Sequence, residues 1–216
     1  MVFKNIRQGW PGELKILKSV FYSRDTLVVA EELIGKILVR KTGHNVLAGA
    51  IIETEAYYGQ GDPASHAFRG KTPRASIMFG RAGIAYVYFC YGMYWLLNAV
   101  TEIVDVPGAV LIRSVMPLSG VEQMCENRKT DDIKNLANLA NGPGKLTQAF
   151  GIDTKDNGKD LTDPDSGINI CYFKQAAGYL PHLKISRTSR VGVSAGKEKL
   201  FRFFLENPGV IQDFYL

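Results

Sequence analysis

The sequence predicts a mixed α+β domain: a largely antiparallel, curved sheet with flanking helices and a protruding β-hairpin. Three observations predict it. Runs rich in β-branched and aromatic residues recur at 36–40, 46–55, 84–89, 94–101 and 108–114. Two of them are separated only by Cys90-Tyr91-Gly92-Met93, a turn signal supplied by the glycine. Helical patterns at 26–34, 119–129 and 131–139 flank these runs, and 216 residues suit one domain over 1–216.

In chain order, Asp25 can cap the helix at 26–34, with Gly35 at its end. Strands follow at 36–40 and 46–55. Residues 59–83 are punctuated by Gly and Pro and carry little regular pattern; a long irregular stretch inside a domain is usually functional. The hairpin comes next, with Tyr91 and Met93 at its tip, then the strand at 108–114 and the two helices. Asn141-Gly142-Pro143-Gly144-Lys145 forms a loop feeding a short helix that ends at Phe150. Residues 153–166 are polar and expected to be exposed, and 168–173, 183–186 and 200–205 read as later strands. The chain shows no repeat, low-complexity stretch or long linker.

With 46% hydrophobic and 22% charged residues, the composition is that of an ordinary soluble protein. No apolar run approaches the ~20 residues of a membrane helix. Residues 1–17 mix Lys4, Arg7, Glu13 and Lys15 among short apolar stretches and lack a secretory core. A cytoplasmic protein without a membrane partner is the expectation. Cys90, Cys125 and Cys171 are far apart and odd in number, giving neither a disulfide framework nor a zinc half-site; buried thiols are expected. His44, His66 and His182 are scattered, and nothing in their spacing argues for a metal.

The net charge is +5 and the pI about 9.0, which permits nucleic-acid binding. Between Pro63 and Thr101 there is no Asp or Glu, while Arg69, Lys71, Arg74 and Arg81 stand among Phe68, Phe79, Tyr86, Tyr88, Phe89, Tyr91, Tyr94 and Trp95. Cations and aromatics without anions suit a polyanion that carries flat rings. A core hairpin that follows a basic loop reads equally well at this point.

Two groups could carry chemistry. In Glu53-Thr54-Glu55-Ala56-Tyr57, period two puts Glu53, Glu55 and Tyr57 on one strand face. A carboxylate at a water-poor site can act as a general base or stabilise positive charge; a polar strand end facing solvent is the plainer alternative. The hairpin tip exposes Tyr91 and Met93 on a tight turn. That suits a wedge entering a base stack, or packing against a neighbouring loop.

The run Glu53–Tyr57, then His66, Thr72-Pro73-Arg74, Met78-Phe79, Tyr86-Val87-Tyr88, Tyr91-Gly92-Met93-Tyr94 and Asn98 resembles the alkyladenine (3-methyladenine or methylpurine) DNA glycosylases. So do Val110-Leu111-Ile112-Arg113 before Pro117, the 142–146 loop, and Arg190-Val191-Gly192-Val193. The likeness runs in order from Leu27 to Leu205; residues 153–166 and the tail after Asn207 carry no matching motif.

The resemblance implies a monofunctional base-excision-repair enzyme. It would flip alkylated or deaminated purines of the 3-methyladenine, 7-methylguanine, hypoxanthine or ethenoadenine type from double-stranded DNA and hydrolyse their N-glycosidic bonds. No cofactor is implied, and a monomer is expected, at the nucleoid of a bacterium or in a eukaryotic nucleus. Glu55 would activate the water, and Arg113 would help hold it and a phosphate. A main-chain carbonyl near Val191 or Val193 would complete the water's shell. Tyr57, His66 and Tyr88 would be the walls between which the flipped base stacks, and Asn98 would crowd the exocyclic amine of guanine. Tyr91 would be the intercalating wedge, with Met93 and Tyr94 along the minor groove. Arg74 and Lys145 are the expected phosphate contacts, and Glu53 a supporting residue.

Two alternatives remain at this stage. A bifunctional glycosylase/lyase would need an amine nucleophile, for which Lys145 in its Gly-rich loop is the candidate. A non-catalytic nucleic-acid-binding module would use the basic aromatic window but gain nothing from an acid at Glu55.

Overall fold

Every strand pairing in the computed structural model is antiparallel, as expected from the hairpin signal and the short connections. The structure describes residues 2–3, 13–43, 45–131, 135–174 and 183–211. The strands are β1 (Val2–Phe3), β2 (Leu14–Ile16), β3 (Ile37–Thr42), β4 (Asn45–Tyr58), β5 (Ala85–Cys90), β6 (Tyr94–Val100), β7 (Gly108–Ser119), β8 (Ile168–Phe173), β9 (Ile185–Thr188) and β10 (Arg202–Leu205). They form one sheet in the order β1-β2-β8-β3-β4-β7-β6-β5, with β10 joined to β4 and β9 to β10. The β5–β6 hairpin is thus an edge of the sheet.

Helices α1 (Ser19–Tyr22), α2 (Thr26–Glu32), α3 (Val121–Arg128), α4 (Leu136–Leu139) and α5 (Pro143–Ala149) flank the sheet. The Asp25 carboxylate accepts from the amides of Leu27 and Val28, so α2 starts where its cap predicts. Val29, Ala30 and Leu33 turn inward and are fully buried against the sheet's Ile37, Ile51 and Ile112 core.

Strand β4 is longer than its apolar pattern suggested and organises the molecule. Residues 45–50 pair with β3 on one side, residues 53–55 pair with β10 on the same side, and β7 runs along the other. Register shifts against β7 fall at Ala48/Gly49 and on both sides of Glu53. Such bulges twist and bend a strand, which lets β4 leave one neighbour and take another. Thr54 points away from the site and donates to Ala30 O of α2 at 2.7 Å. Alternation then puts Glu53 and Glu55 on the opposite face.

Three expectations need correction. Residues 153–166 are not simply exposed. Asp156 is fully buried, accepts from Arg40 and Lys159, and closes a capping box with Asp153, while Leu161 is also fully buried. Polar groups that satisfy one another can be buried, which composition alone hides. Of the helix expected at 131–139, Leu136–Leu139 is helical and Asp131 and Asn135 are not; 132–134 lie outside the described residues, as do His44 and His182. Cys125 and Cys171 are buried, and burial pushes the Cys171 thiol up to about 12, but Cys90 is half-buried at the end of β5.

Candidate active site

The segment between β4 and β5 folds into two short 3-10 turns, His66–Arg69 and Ser76–Phe79. Ser65 caps the first by accepting from Ala67 N, and this carries His66 against the hairpin. A cleft of about 590 Å³ opens between this segment, the hairpin, the start of α5 and residues 191–194. That is within the range of small-ligand sites. Of the expected site residues, Tyr57, His66, Tyr88, Tyr91, Tyr94, Arg113 and Lys145 line it. Asn98 lies deeper: it lines a cavity of about 20 Å³ behind Tyr57, His66 and Tyr88, and donates to Tyr86 O at 3.1 Å. Such a space holds about one water.

Glu55 is fully buried directly beneath the cleft. Its Oε1 accepts from the Val191 amide at 2.7 Å and its Oε2 from the Tyr57 hydroxyl at 2.8 Å. Arg113 Nη1 lies 3.2 Å from Oε2. These three partners all line the cleft, so the carboxylate is one side chain below its floor. A carboxylate has about four acceptor directions, and the two hydrogen bonds and one ion pair here leave room for a further donor. Arg113 Nε also donates to Glu53 Oε1 at 2.8 Å, and Arg202 Nε to the same oxygen at 2.6 Å. Glu53 therefore fixes the guanidinium that faces Glu55. Burial works to lower the Arg113 pKa, but Glu55 and Glu53 more than offset it and the net shift is upward.

His66 and Tyr88 meet edge to face, with ring centroids 4.6 Å apart. They are not opposite walls separated by a base's thickness but one composite wall, with Tyr57 on the same cleft. His66 Nδ1 shares a 2.8 Å hydrogen bond with the Tyr86 hydroxyl. Burial, with the Arg74 charge adding to it, pushes the imidazole down to about 4. Arg74 stacks over the Tyr88 ring at 5.1 Å and lies 3.4 Å from Phe89 O, still exposed to solvent.

At the hairpin tip, Tyr91 and Met93 are exposed and Tyr94 is at the border of exposure. Tyr91 and Gly92 both have left-handed φ, 53° and 68°, and Met93 N donates to Cys90 O at 3.2 Å. Both central residues at positive φ is the requirement of a type I′ turn. Lys145 Nζ donates to Asn138 Oδ1 at 2.5 Å.

Residues 20–208 match the family described as methylpurine-DNA glycosylase. The chain belongs to the methylpurine-DNA glycosylase family. The glycosylase is 44% identical to a protein of Chlorobium phaeobacteroides over 199 residues, 91% of this chain and 97% of that one. It is 47% identical to a Prosthecochloris aestuarii protein over 192 residues, 88% of each chain. It is 44% identical to one from Carboxydothermus hydrogenoformans over 192 residues, 89% of this chain and 96% of that one. All three are named as candidate 3-methyladenine DNA glycosylases. The enzyme is accordingly a DNA-repair hydrolase of N-glycosyl bonds. Among its described residues no helix is long and apolar enough to cross a membrane.

Sequence reasoning found the residues that share a strand or a hairpin. It assigned no role to Tyr86, Asp62 or Arg190. The resemblance pointed to a main-chain carbonyl near Val191 or Val193; the Val191 amide, which it did not name, donates to Glu55 at 2.7 Å. Only the Arg190-Val191-Gly192-Val193 motif signalled that this distant segment enters the site.

Proposed function

We propose that the glycosylase is monofunctional. On this reading it extrudes an alkylated or deaminated purine, of the 3-methyladenine, 7-methylguanine, hypoxanthine or ethenoadenine type, from double-stranded DNA and hydrolyses its N-glycosidic bond as a monomer in the DNA-holding compartment. One observation carries this reading: a fully buried carboxylate, held by two hydrogen bonds and an arginine ion pair, lies under a cleft walled by aromatic rings.

The flipped base enters against Tyr57 on one side and the His66–Tyr88 pair on the other. Base–aromatic stacking is worth ~1–3 kcal/mol per base, and a cationic alkylated purine gains a cation–π attraction besides. Poorly paired lesions cost less to extrude. Tyr91 fills the gap left in the duplex, and Met93 and Tyr94 run beside it. As the glycosidic bond breaks, its electron pair leaves with the base and the sugar gains oxocarbenium character. The Glu55 carboxylate stabilises that charge and accepts a proton from the water that attacks C1′. Arg113, fixed by Glu53, holds the water and the neighbouring phosphate. Asn98, at the deep end, disfavours a base with a guanine-type exocyclic amine.

Glu55→Gln is expected to retain binding to a lesion duplex and to abolish base release. Release at the wild-type rate would overturn the reading. A lyase reading keeps a foothold because Lys145 lines the same cleft. The hydrolytic reading expects borohydride to trap no covalent adduct with lesion DNA; an adduct lost in Lys145→Ala would establish the lyase instead. Release assays on duplexes carrying each of the four lesions would rank the substrates.

A further inference from the structure

We propose that the buried Asp62–Arg190 ion pair is the positioning device of the site, holding the Val191 amide against Glu55. The inference rests on the reading of Glu55 as the water-activating carboxylate.

Both side chains of the pair are almost completely buried, at 1% and 0% exposure. Arg190 is two-pronged: Nη1 donates to Asp62 Oδ2 at 2.7 Å and Nη2 to Asp62 Oδ1 at 2.6 Å. Nη1 also donates to Ala56 O at 2.9 Å. The guanidinium lies over Tyr57 at 4.6 Å and Phe201 at 5.2 Å. Asp62 Oδ2 in turn accepts from Tyr58 N at 3.0 Å. The pair therefore fastens three stretches at one point: the end of β4, the loop at Asp62, and the segment that enters from β9.

The residue after this anchor is Val191, whose amide reaches Glu55. Val191, Gly192 and Ser194 are exposed. Among the described residues, the Val191–Glu55 bond is the one hydrogen bond made by residues 191–195. Arg190 is, among the described residues, the charged side chain adjoining this stretch that is anchored by a buried ion pair. The chain then returns over the pair at Gly196, where an added Cβ would lie 3.2 Å from Arg190 Nη2 at a φ of 65°.

Stability alone is weak grounds for keeping a buried pair of charges. Desolvating two charges consumes most of their attraction, and apolar substitutes of similar size are often as stable or more so. What such substitutes lack is the fork geometry that fixes a direction. The pair's contribution is then to the placement of one amide on one carboxylate oxygen.

Arg190→Lys and the apolar double variant Asp62→Leu/Arg190→Met separate placement from folding. Single-turnover base release at saturating enzyme, well below the melting temperature, should fall about tenfold or more in the double variant. It should fall by a smaller factor in Arg190→Lys, which keeps a cation beside Asp62. The Kd for the same lesion duplex should stay within about threefold of wild type. A merely structural pair would change the melting temperature and leave this rate constant alone. Release within about twofold of wild type in the folded double variant overturns the proposal; should that variant not fold, a wild-type rate in Arg190→Lys does so. Glu55→Gln run in parallel separates the two claims. If it keeps activity, the reading of Glu55 fails. If it is inactive while the pair variants release at the wild-type rate, the positioning role alone fails.

Discussion

Tyr57 has two duties at once, as a ring facing the cleft and as a hydroxyl bonded to Glu55. Burial, then the neighbouring Glu55 charge and bond, raise its pKa far above the ordinary tyrosine value, so it stays a donor at any working pH. Tyr57→Phe keeps the ring and removes the donor. A hydrogen bond to a charged group is worth about 1.5–3 kcal/mol, so single-turnover release should drop about tenfold or more with little change in DNA affinity. His66 makes a different prediction. Its folded-state pKa of about 4 lies below the ordinary 6.5, so between these values the unfolded chain binds a proton that the folded one refuses. Stability therefore falls as pH drops from about 6.5 to about 4, then levels off. The effect is on the order of 1–3 kcal/mol after discounting for partial solvent access. Urea midpoints measured across that range should converge between wild type and His66→Asn as the pH is lowered, if the variant starts less stable; parallel curves would refute the assignment. At this scale the sequence was legible where chemistry is local. Glu53, Glu55 and Tyr57 share a face because a strand repeats every two residues. Asp62 and Arg190 are 128 positions apart, and no local pattern announces that they meet.

The hairpin is the element whose geometry was most legible, because a Gly in a short turn between two aromatic strands fixes the pairing. Its strain was not. Tyr91 sits at φ 53° with 78% of its surface exposed. A left-handed non-glycine residue costs on the order of 1 kcal/mol, and exposing a tyrosine there earns no packing energy in the free protein. Tyr91→Asn, which tolerates this conformation better, should raise the melting temperature by about 1–3 °C. The same change should weaken base flipping, read by a fluorescent reporter base in a lesion duplex. An unchanged flipping equilibrium would remove the wedge role. The start of α5 supports the hairpin from behind: a Cβ on Gly144 would lie 2.6–3.0 Å from Tyr94 ring and Cβ atoms. Gly144→Ala should thus displace Tyr94 and cost about 1–3 kcal/mol, visible as a lower urea midpoint. The elements hardest to read were those set by long-range satisfaction. The stretch at 153–166 looked solvent-facing because its residues are polar, yet Arg40 on β3 supplies the partner that buries Asp156.

Over the whole molecule, the acid-free window between Pro63 and Thr101 looked in sequence like a row of free cations. In space the row is thinned. Lys71 lies 3.3 Å from Asp105 and Arg81 lies 2.5 Å from Asp160, both acids coming from outside the window. Arg74 stacks on Tyr88 beside the cleft, and Lys145 bonds the neutral Asn138 on the cleft's far rim. Of these cations, Lys71 and Arg81 face acids, while Arg74 and Lys145 stand at the cleft without a carboxylate partner among the described residues. A duplex laid across the cleft would release counterions mainly through these two side chains. Each phosphate contact contributes about 0.9 to the slope of log K against log salt. Arg74→Ala and Lys145→Ala should each lower that slope by roughly one unit, whatever the base sequence. Lys71→Ala and Arg81→Ala should lower it by clearly less, because each cation already faces a carboxylate. Affinities measured between about 50 and 300 mM salt, on an undamaged duplex so that base capture does not intervene, make the comparison. Equal slopes for all four variants would mean that DNA contacts the broad basic face instead of the rim, and the register of the duplex over Glu55 would have to be redrawn.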